Sequence, residues 1–183
     1  PQTLIDEIMI PSIIAVGSSY EKRECFLPQL IASAETMKKG MEFLDNILRK
    51  QSQTATNKGV ILLATVEGDI HDIGKNIVAL LLKTHGYKII DLGKDCSAEK
   101  IIKAIKSEKP IVVGLSALMT TTMIKMKEVI TLATNLGLKT NFLIGGAVVT
   151  SEYAKSIGAH YAKDGISAGK VVEKIIARRK VEA

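Results

Sequence analysis

Between the apolar runs at residues 60–64 and 77–82 lies Gly68-Asp69-Ile70-His71-Asp72-Ile73-Gly74, which carries an imidazole, two carboxylates and two glycines. His71 offers a neutral ring nitrogen to a borderline metal. Asp69, two residues earlier, can accept the proton on the other ring nitrogen and so orient the imidazole. A bare zinc ion held by protein wants three or four protein ligands, and the two cysteines, Cys25 and Cys96, fit no metal-binding spacing. A metal that arrives inside its own macrocycle, and needs one axial ligand, suits this inventory better. Asp69 and Asp72 could instead form an acidic magnesium pocket, as in phosphoacceptor domains. That reading leaves two further stretches without a purpose. In the first, Ser116-Ala117-Leu118-Met119-Thr120-Thr121-Thr122, the hydroxyls of Ser116, Thr120 and Thr122 can bond polar ligand atoms without adding charge. In the second, Gly145-Gly146-Ala147, missing side chains leave room for a large group to slide between strands, while Gly74 lets a helix start close to a bound molecule. Taken alone, the glycine pair reads as a tight turn and the threonine run as a helix cap.

These three stretches must be brought together by the elements around them. Short β-branched runs at residues 60–65, 88–91, 111–115, 141–144 and 159–162 read as strands. Helical patterns fill the gaps at about residues 74–85, 97–107, 122–136, 151–157 and 167–179. Alternation of this kind predicts a five-stranded parallel α/β sheet covered on both faces, flavodoxin-like (Rossmann-like) in order. The first, third and fourth strands are then neighbours, and their carboxyl ends put His71, the hydroxyls and the glycine pair on one rim. Ahead of the sheet, apolar residues recur at helical spacing from residue 3 to about 23, with Pro11 expected to end or kink the first turns and a break possible near Gly17-Ser18-Ser19. A firmer helix is expected from 26 to about 49, with Leu27, Leu30, Ile31, Ala34, Met37, Met41, Leu44 and Leu48 on one face and Pro28 in its first turn. The expected organisation is a helical cap over residues 1–52 that lacks its beginning, a polar linker over 53–58, and an α/β domain over 59–183.

Composition narrows the function further. At 183 residues and 46% hydrophobic content the chain can bury a real core. No apolar span approaches the roughly 20 residues that cross a bilayer, and the cysteine usage suits a reduced, cytoplasmic protein. The formal charge is +6, yet the lysines are scattered along helices and aromatics make up only 4% of residues, so neither nucleic acid nor a membrane is expected as a partner. The run Arg178-Arg179-Lys180 sits where cations favour a helix C-terminus. His85 and His160 adjoin none of the strand ends and read as structural or exposed. The chain opens at Pro1 inside an apolar pattern, and it is expected to be a piece of something longer.

Asp69-Ile70-His71-Asp72-Ile73-Gly74, with Ser116-Ala117-Leu118 and then Gly145-Gly146, resembles the corrinoid-binding signature of vitamin B12-dependent proteins. Phe26-Leu27-Pro28-Gln29-Leu30 and the following helix resemble the cap of methyl-carrying members, above all cobalamin-dependent methionine synthase and the small corrinoid proteins of methyltransferase systems. The resemblance implies cobalamin as cofactor, passing between methylcobalamin and cob(I)alamin, with His71 as lower axial cobalt ligand and Asp69 and Thr122 behind it as a hydrogen-bonded relay. Thr122 stands where the best-known members carry serine. The resemblance also implies that Gly68 and Asp72 contact the corrin edge, that Ser116, Thr120, Gly145 and Gly146 contact the nucleotide tail, whose pocket Gly165 closes, and that Ile70, Gly74 and Leu118 are cofactor-binding as well. Tyr20, Leu27 and Leu30 would cover the methyl-bearing face, with Asp6 or Glu7 as a possible acidic contact. The function expected first is the methyl-carrier module of methionine synthase. Its alternatives are a stand-alone corrinoid protein of a methylamine, methanol or methoxy-arene system, an adenosylcobalamin mutase domain and a B12-sensing regulator. Nothing in the chain looks able to bind folate or activate a thiol, so methyl donor and acceptor would be handled by other catalytic domains or subunits, with a reductive reactivation partner a further candidate.

Overall fold

Strand β1 (Val60–Thr65) is an unbroken apolar run ending in threonine, and burial of its residues on both faces makes it a central strand. It pairs in parallel with β2 (Lys88–Asp91) on one side and with β3 (Val112–Ser116) on the other. Strands β4 (Asn141–Gly145) and β5 (His160–Tyr161) extend the sheet to the order β2-β1-β3-β4-β5, all parallel, which is the flavodoxin-like order. The structure is a computed structural model that describes residues 2–51 and 58–181. The chain divides into two compact units, Pro1–Ala55 and Thr56–Ala183. The expected linker at 53–58 falls mostly outside the described residues, as do the side chains of Asp6, Leu48, Arg179 and Lys180.

Alternate residues of the strands face opposite layers. Leu62, Ala64, Val113, Leu115, Phe142 and Ile144 pack with Ile101 and Ile105 of α5 (Ala98–Glu108) and with Met126, Val129 and Ala133 of α6 (Thr120–Asn135). On the other face, Ile61, Leu63, Val112 and Leu143 pack with Ala79 and Leu82 of α4 (Ile73–Thr84) and with Ala168, Val172 and Ile175 of α8 (Gly165–Val181). The short α7 (Ser151–Ser156) starts where Thr150 Oγ1 accepts the Tyr153 N–H at 3.1 Å. The chain leaves β1 toward one edge of the sheet and returns across it to β3, so the crevice above β1 and β3 is the switch point where such sheets hold ligands.

Helix α6 starts two residues before its expected first turn, and its cap differs from the expectation. Met119, in extended conformation, is the N-cap residue and makes no side-chain cap, so the threonine run does not cap the helix. The Asp69 carboxylate instead accepts the Leu118 and Met119 amides just ahead of the helix.

In the N-terminal unit a short turn, α1 (Gln2–Leu4), leads through a π-helical stretch, Ile5–Met9, into α2 (Ile10–Glu21). Pro11 therefore does not end the helix; the chain winds wide immediately before it and absorbs the missing backbone donor there. Gly17-Ser18-Ser19 stay helical as well, and the break falls later, where Arg23 takes a left-handed φ of 62°. The Phe26 N–H donates to Gln29 Oε1 at 2.8 Å, and α3 (Leu27–Gln51) opens with Pro28 at its second position. On α3, Met37, Met41 and Leu44 form the buried stripe, while Leu27 and Ile31 of the predicted face are exposed, so that face is only partly covered. Among the described residues no helix is long and apolar enough to cross a membrane.

Candidate functional site

Beyond Thr65 the chain turns sharply: Gly68 adopts φ 78°, a conformation open to glycine, and the Asp69 N–H closes back onto the Val66 carbonyl at 3.1 Å. The turn drives the Asp69 side chain inward, where it is 0% exposed. Its Oδ1 accepts the His71 backbone N–H at 3.0 Å and meets His71 Nδ1 at 2.9 Å. Its Oδ2 accepts the Leu118 N–H at 2.7 Å, the Met119 N–H at 3.4 Å and the Thr122 hydroxyl at 2.7 Å. Burial alone would push the carboxyl up, but the Thr122 hydroxyl, the Leu118 N–H and the two bonds from His71 outweigh it and hold Asp69 well below the usual carboxylate range. The anion also stands at the amino end of α6, where the helix favours negative charge and lacks a cap of its own.

An ionised Asp69 accepts hydrogen bonds only, so His71 Nδ1 must carry a proton, and in the neutral ring this leaves the lone pair on Nε2. The His71 side chain is 45% exposed, which leaves that nitrogen open to the rim. Thr122, 6% exposed, sits behind the carboxylate, so the structure strings Thr122, Asp69 and His71 into one chain of hydrogen bonds. Ile70, Leu118 and Met119 surround the same loop as exposed apolar side chains. Among the described residues no three of His, Cys, Asp and Glu are grouped to hold a metal ion.

The remaining candidates fall at several places. The Ser116 hydroxyl pairs with Thr65 Oγ1 at 2.8 Å, joining the ends of β3 and β1. Thr120 is exposed at the first turn of α6, and Asp72 is the N-cap residue of α4 without a side-chain cap bond. A Cβ on Gly74 would meet nothing within 4 Å, so the start of α4 does present open backbone. The glycine pair serves chain packing first. A Cβ on Gly145 would lie 2.7 Å from the Ala162 carbonyl oxygen, and one on Gly146, at φ 132°, would lie 1.9 Å from that of Ala117. Neighbouring backbone thus fills the space their side chains leave, and what they offer the rim is main chain. Gly165 begins α8 and lets it approach α4, since a Cβ there would lie 2.5 Å from Leu81 Cδ1. Tyr20, Leu27 and Leu30 belong to the other unit, the first two exposed and the last half-buried.

Sequence reasoning missed two supports of the loop. Lys75 is buried and pairs with Asp91 Oδ2 at 2.5 Å and Asn76 Oδ1 at 2.7 Å, while Asp91 Oδ1 accepts the Gly93 N–H at 2.8 Å. The first turn of α4 is thereby tied to the end of β2. A signal was available, because Lys75, Ala79 and Leu82 share one helical stripe, and the last two are core. The second support, Asp95, had none: it accepts the Gly68 N–H across 27 positions of sequence at 2.8 Å.

Comparison with known proteins places this geometry in a family. A B12 binding domain model matches residues 59–172, and a second B12 binding domain model matches residues 1–45. The chain is 37% identical to trimethylamine corrinoid protein 2 of Methanosarcina mazei over 183 residues, covering 99% of this chain and 83% of that protein. The structure of the Methanosarcina barkeri monomethylamine corrinoid protein superposes with a TM-score of 0.80 at 32% identity, covering 95% of this chain and 83% of that one. The methanol:cobalamin methyltransferase complex MtaBC of Methanosarcina barkeri contains a chain that matches with a TM-score of 0.65 at 37% identity, covering 96% of this chain and 67% of that one. The chain therefore belongs to the B12-binding corrinoid protein family, and cobalamin is its cofactor.

Proposed function

We propose that this protein is a methyl carrier of a methyltransferase system, with His71 as the axial nitrogen ligand beneath the corrin and Asp69 and Thr122 as the relay that orients it. The observation that carries this reading is the hydrogen bond from His71 Nδ1 to a buried, ionised Asp69, which in the neutral ring leaves the lone pair on Nε2, at the free end of a half-exposed side chain. The residues present suit the cofactor: one nitrogen donor, exposed apolar Ile70, Leu118 and Met119 for the face and edge of a large ring, and open backbone at Gly74. Bound cobalamin supplies a cobalt that can accept a methyl group from one molecule and release it to another. Asp69 holds the His71 ring in one tautomer, and Thr122 with the Leu118 and Met119 amides holds Asp69 ionised. A proton entering this chain at Asp69 would weaken its grip on Nδ1 and with it the donor strength of Nε2.

The related proteins are named for trimethylamine, monomethylamine and methanol systems, which favours a stand-alone corrinoid protein over a methionine synthase module. A separate methyltransferase subunit would then bring the methyl donor, as the name of the MtaBC complex indicates for that relative. Purified protein mixed with hydroxocobalamin should retain one equivalent of the coloured cofactor through gel filtration, and colourless protein would end the reading. Immunoblots of the source organism should detect a small polypeptide; a band several times larger would return the methionine synthase module to first place.

A further inference from the structure

We propose that Asp95, in the turn between β2 and α5, is a positioning residue for His71 that sets the histidine loop from outside it. The turn is anchored to β1, because the Cys96 N–H donates to the Thr65 carbonyl at 3.0 Å and Cys96 forms an isolated parallel bridge with Val66. From that anchor Asp95 makes two bonds to the loop. Its Oδ1 accepts the Gly68 N–H at 2.8 Å, and its own N–H donates to the Asp69 carbonyl at 3.0 Å. The peptide unit between them is held by the Asp69 N–H bond to Val66. Three consecutive peptide units around Asp69 are thus fixed, two of them by Asp95. Asp95 reaches both groups by adopting a left-handed φ of 51°, a conformation that aspartate and asparagine tolerate better than most residues.

The consequence for His71 follows from the bonds of Asp69. One carboxylate oxygen takes both the His71 backbone N–H and Nδ1, so any rotation of the Asp69 backbone carries the imidazole with it. Asp95 is exposed and belongs to neither buried cluster, so its loss should act on the loop and spare the core.

This inference rests on His71 being the axial ligand, and the test separates the two ideas. The full chain, made with nitrogen-15 histidine, is loaded with unlabelled cobalamin and reduced to cobalt(II), and electron paramagnetic resonance measures the fraction of cobalt lines split into doublets by a histidine nitrogen. Asp95→Gly keeps the left-handed conformation at no steric cost and removes only the carboxylate. Asp95→Asn keeps an acceptor oxygen. The glycine variant should raise the unligated fraction about 2- to 10-fold at a fixed neutral pH, the range expected for losing one hydrogen bond, and asparagine should restore most of the ligation. In the cofactor-free chain, nitrogen NMR should show the same order in the population of the Nε2–H tautomer of His71. If D95G cannot be purified, D95A answers the same question. Wild-type values for D95G, or for D95A in its place, in both measurements would overturn the role of Asp95. Absence of the nitrogen-15 doublet in the wild-type protein would overturn the ligation itself.

Discussion

Replacing Asp69 with asparagine is the most informative perturbation of the site, because it keeps the shape and changes only the hydrogen-bonding pattern. The carboxylate accepts from five donors, two on Oδ1 and three on Oδ2. Asparagine has one acceptor oxygen, so its amide NH2 must face one of these sets. Turned toward Oδ2, it opposes the Leu118 N–H, although Thr122 could swing its proton to the Met119 carbonyl at 3.0 Å. Turned toward Oδ1, it opposes the His71 N–H and offers Nδ1 a donor, which moves the ring proton to Nε2. Each orientation leaves at least one buried donor unsatisfied and removes charge-assisted bonds, a loss of about 2–4 kcal/mol at pH 7. For a chain of this size that lowers Tm by about 5–15 °C. The acid limb should change too. Asp69 is held below the usual carboxylate range, so its contribution is complete above the unfolded value of about 3.9, and it is lost as pH falls from there toward the depressed folded value. Wild-type protein should therefore lose stability between about pH 4 and pH 2 more steeply than D69N. Urea unfolding of the cofactor-free chain at pH 7 and pH 3, followed by circular dichroism, measures both effects. A D69N chain within about 0.5 kcal/mol of wild type at pH 7, with an unchanged acid limb, would refute the reasoning.

Other substitutions test the remaining parts. His71→Gly should keep much of the corrin affinity, through contacts outside the histidine, while the visible spectrum of the methyl form shifts toward a five-coordinate species; an unchanged spectrum would take His71 off the cobalt. Thr122→Val removes one donor to Asp69 and should cost about 1 kcal/mol, whereas T122S, which keeps the hydroxyl, should cost less than half as much in the same urea titration. Gly146→Ala puts a methyl group 1.9 Å from a backbone oxygen at a left-handed φ, so soluble, natively folded protein in ordinary yield would contradict the packing role given to this glycine. Leu27 is 53% exposed, so L27A should change stability by no more than about 0.5 kcal/mol; if the resemblance to methyl-carrying caps holds, photolysis of the methyl form should quicken, and an equal rate would remove Leu27 from that cover.

The sheet was legible because its central strands are short, apolar and β-branched, separated by helices with clear stripes; β1 and β2 fall at the residues their patterns predict. The chain from Asp69 to His71 was legible for a local reason, since two residues of spacing suffice for a carboxylate to reach a ring nitrogen in a turn. The function of the glycine pair was harder to see. Its need for close backbone approach depends on Ala117 and Ala162, which sequence spacing cannot bring beside it. Asp95 was invisible for the same reason, being joined to Gly68 only by the parallel pairing of β1 and β2. In the helical unit, Pro11 misled because a π-helical stretch accommodates it, and nothing in the apolar period signals such widening.

Isotopic labelling tests the central claim most directly. Protein made with nitrogen-15 histidine, loaded with unlabelled cobalamin and reduced to cobalt(II), should show each axial hyperfine line split into a doublet, because the spin-1/2 nitrogen on the metal comes from the protein. A triplet would mean that an unlabelled nitrogen, such as the cofactor's own base, is bound, and His71 would then have no place beneath the corrin.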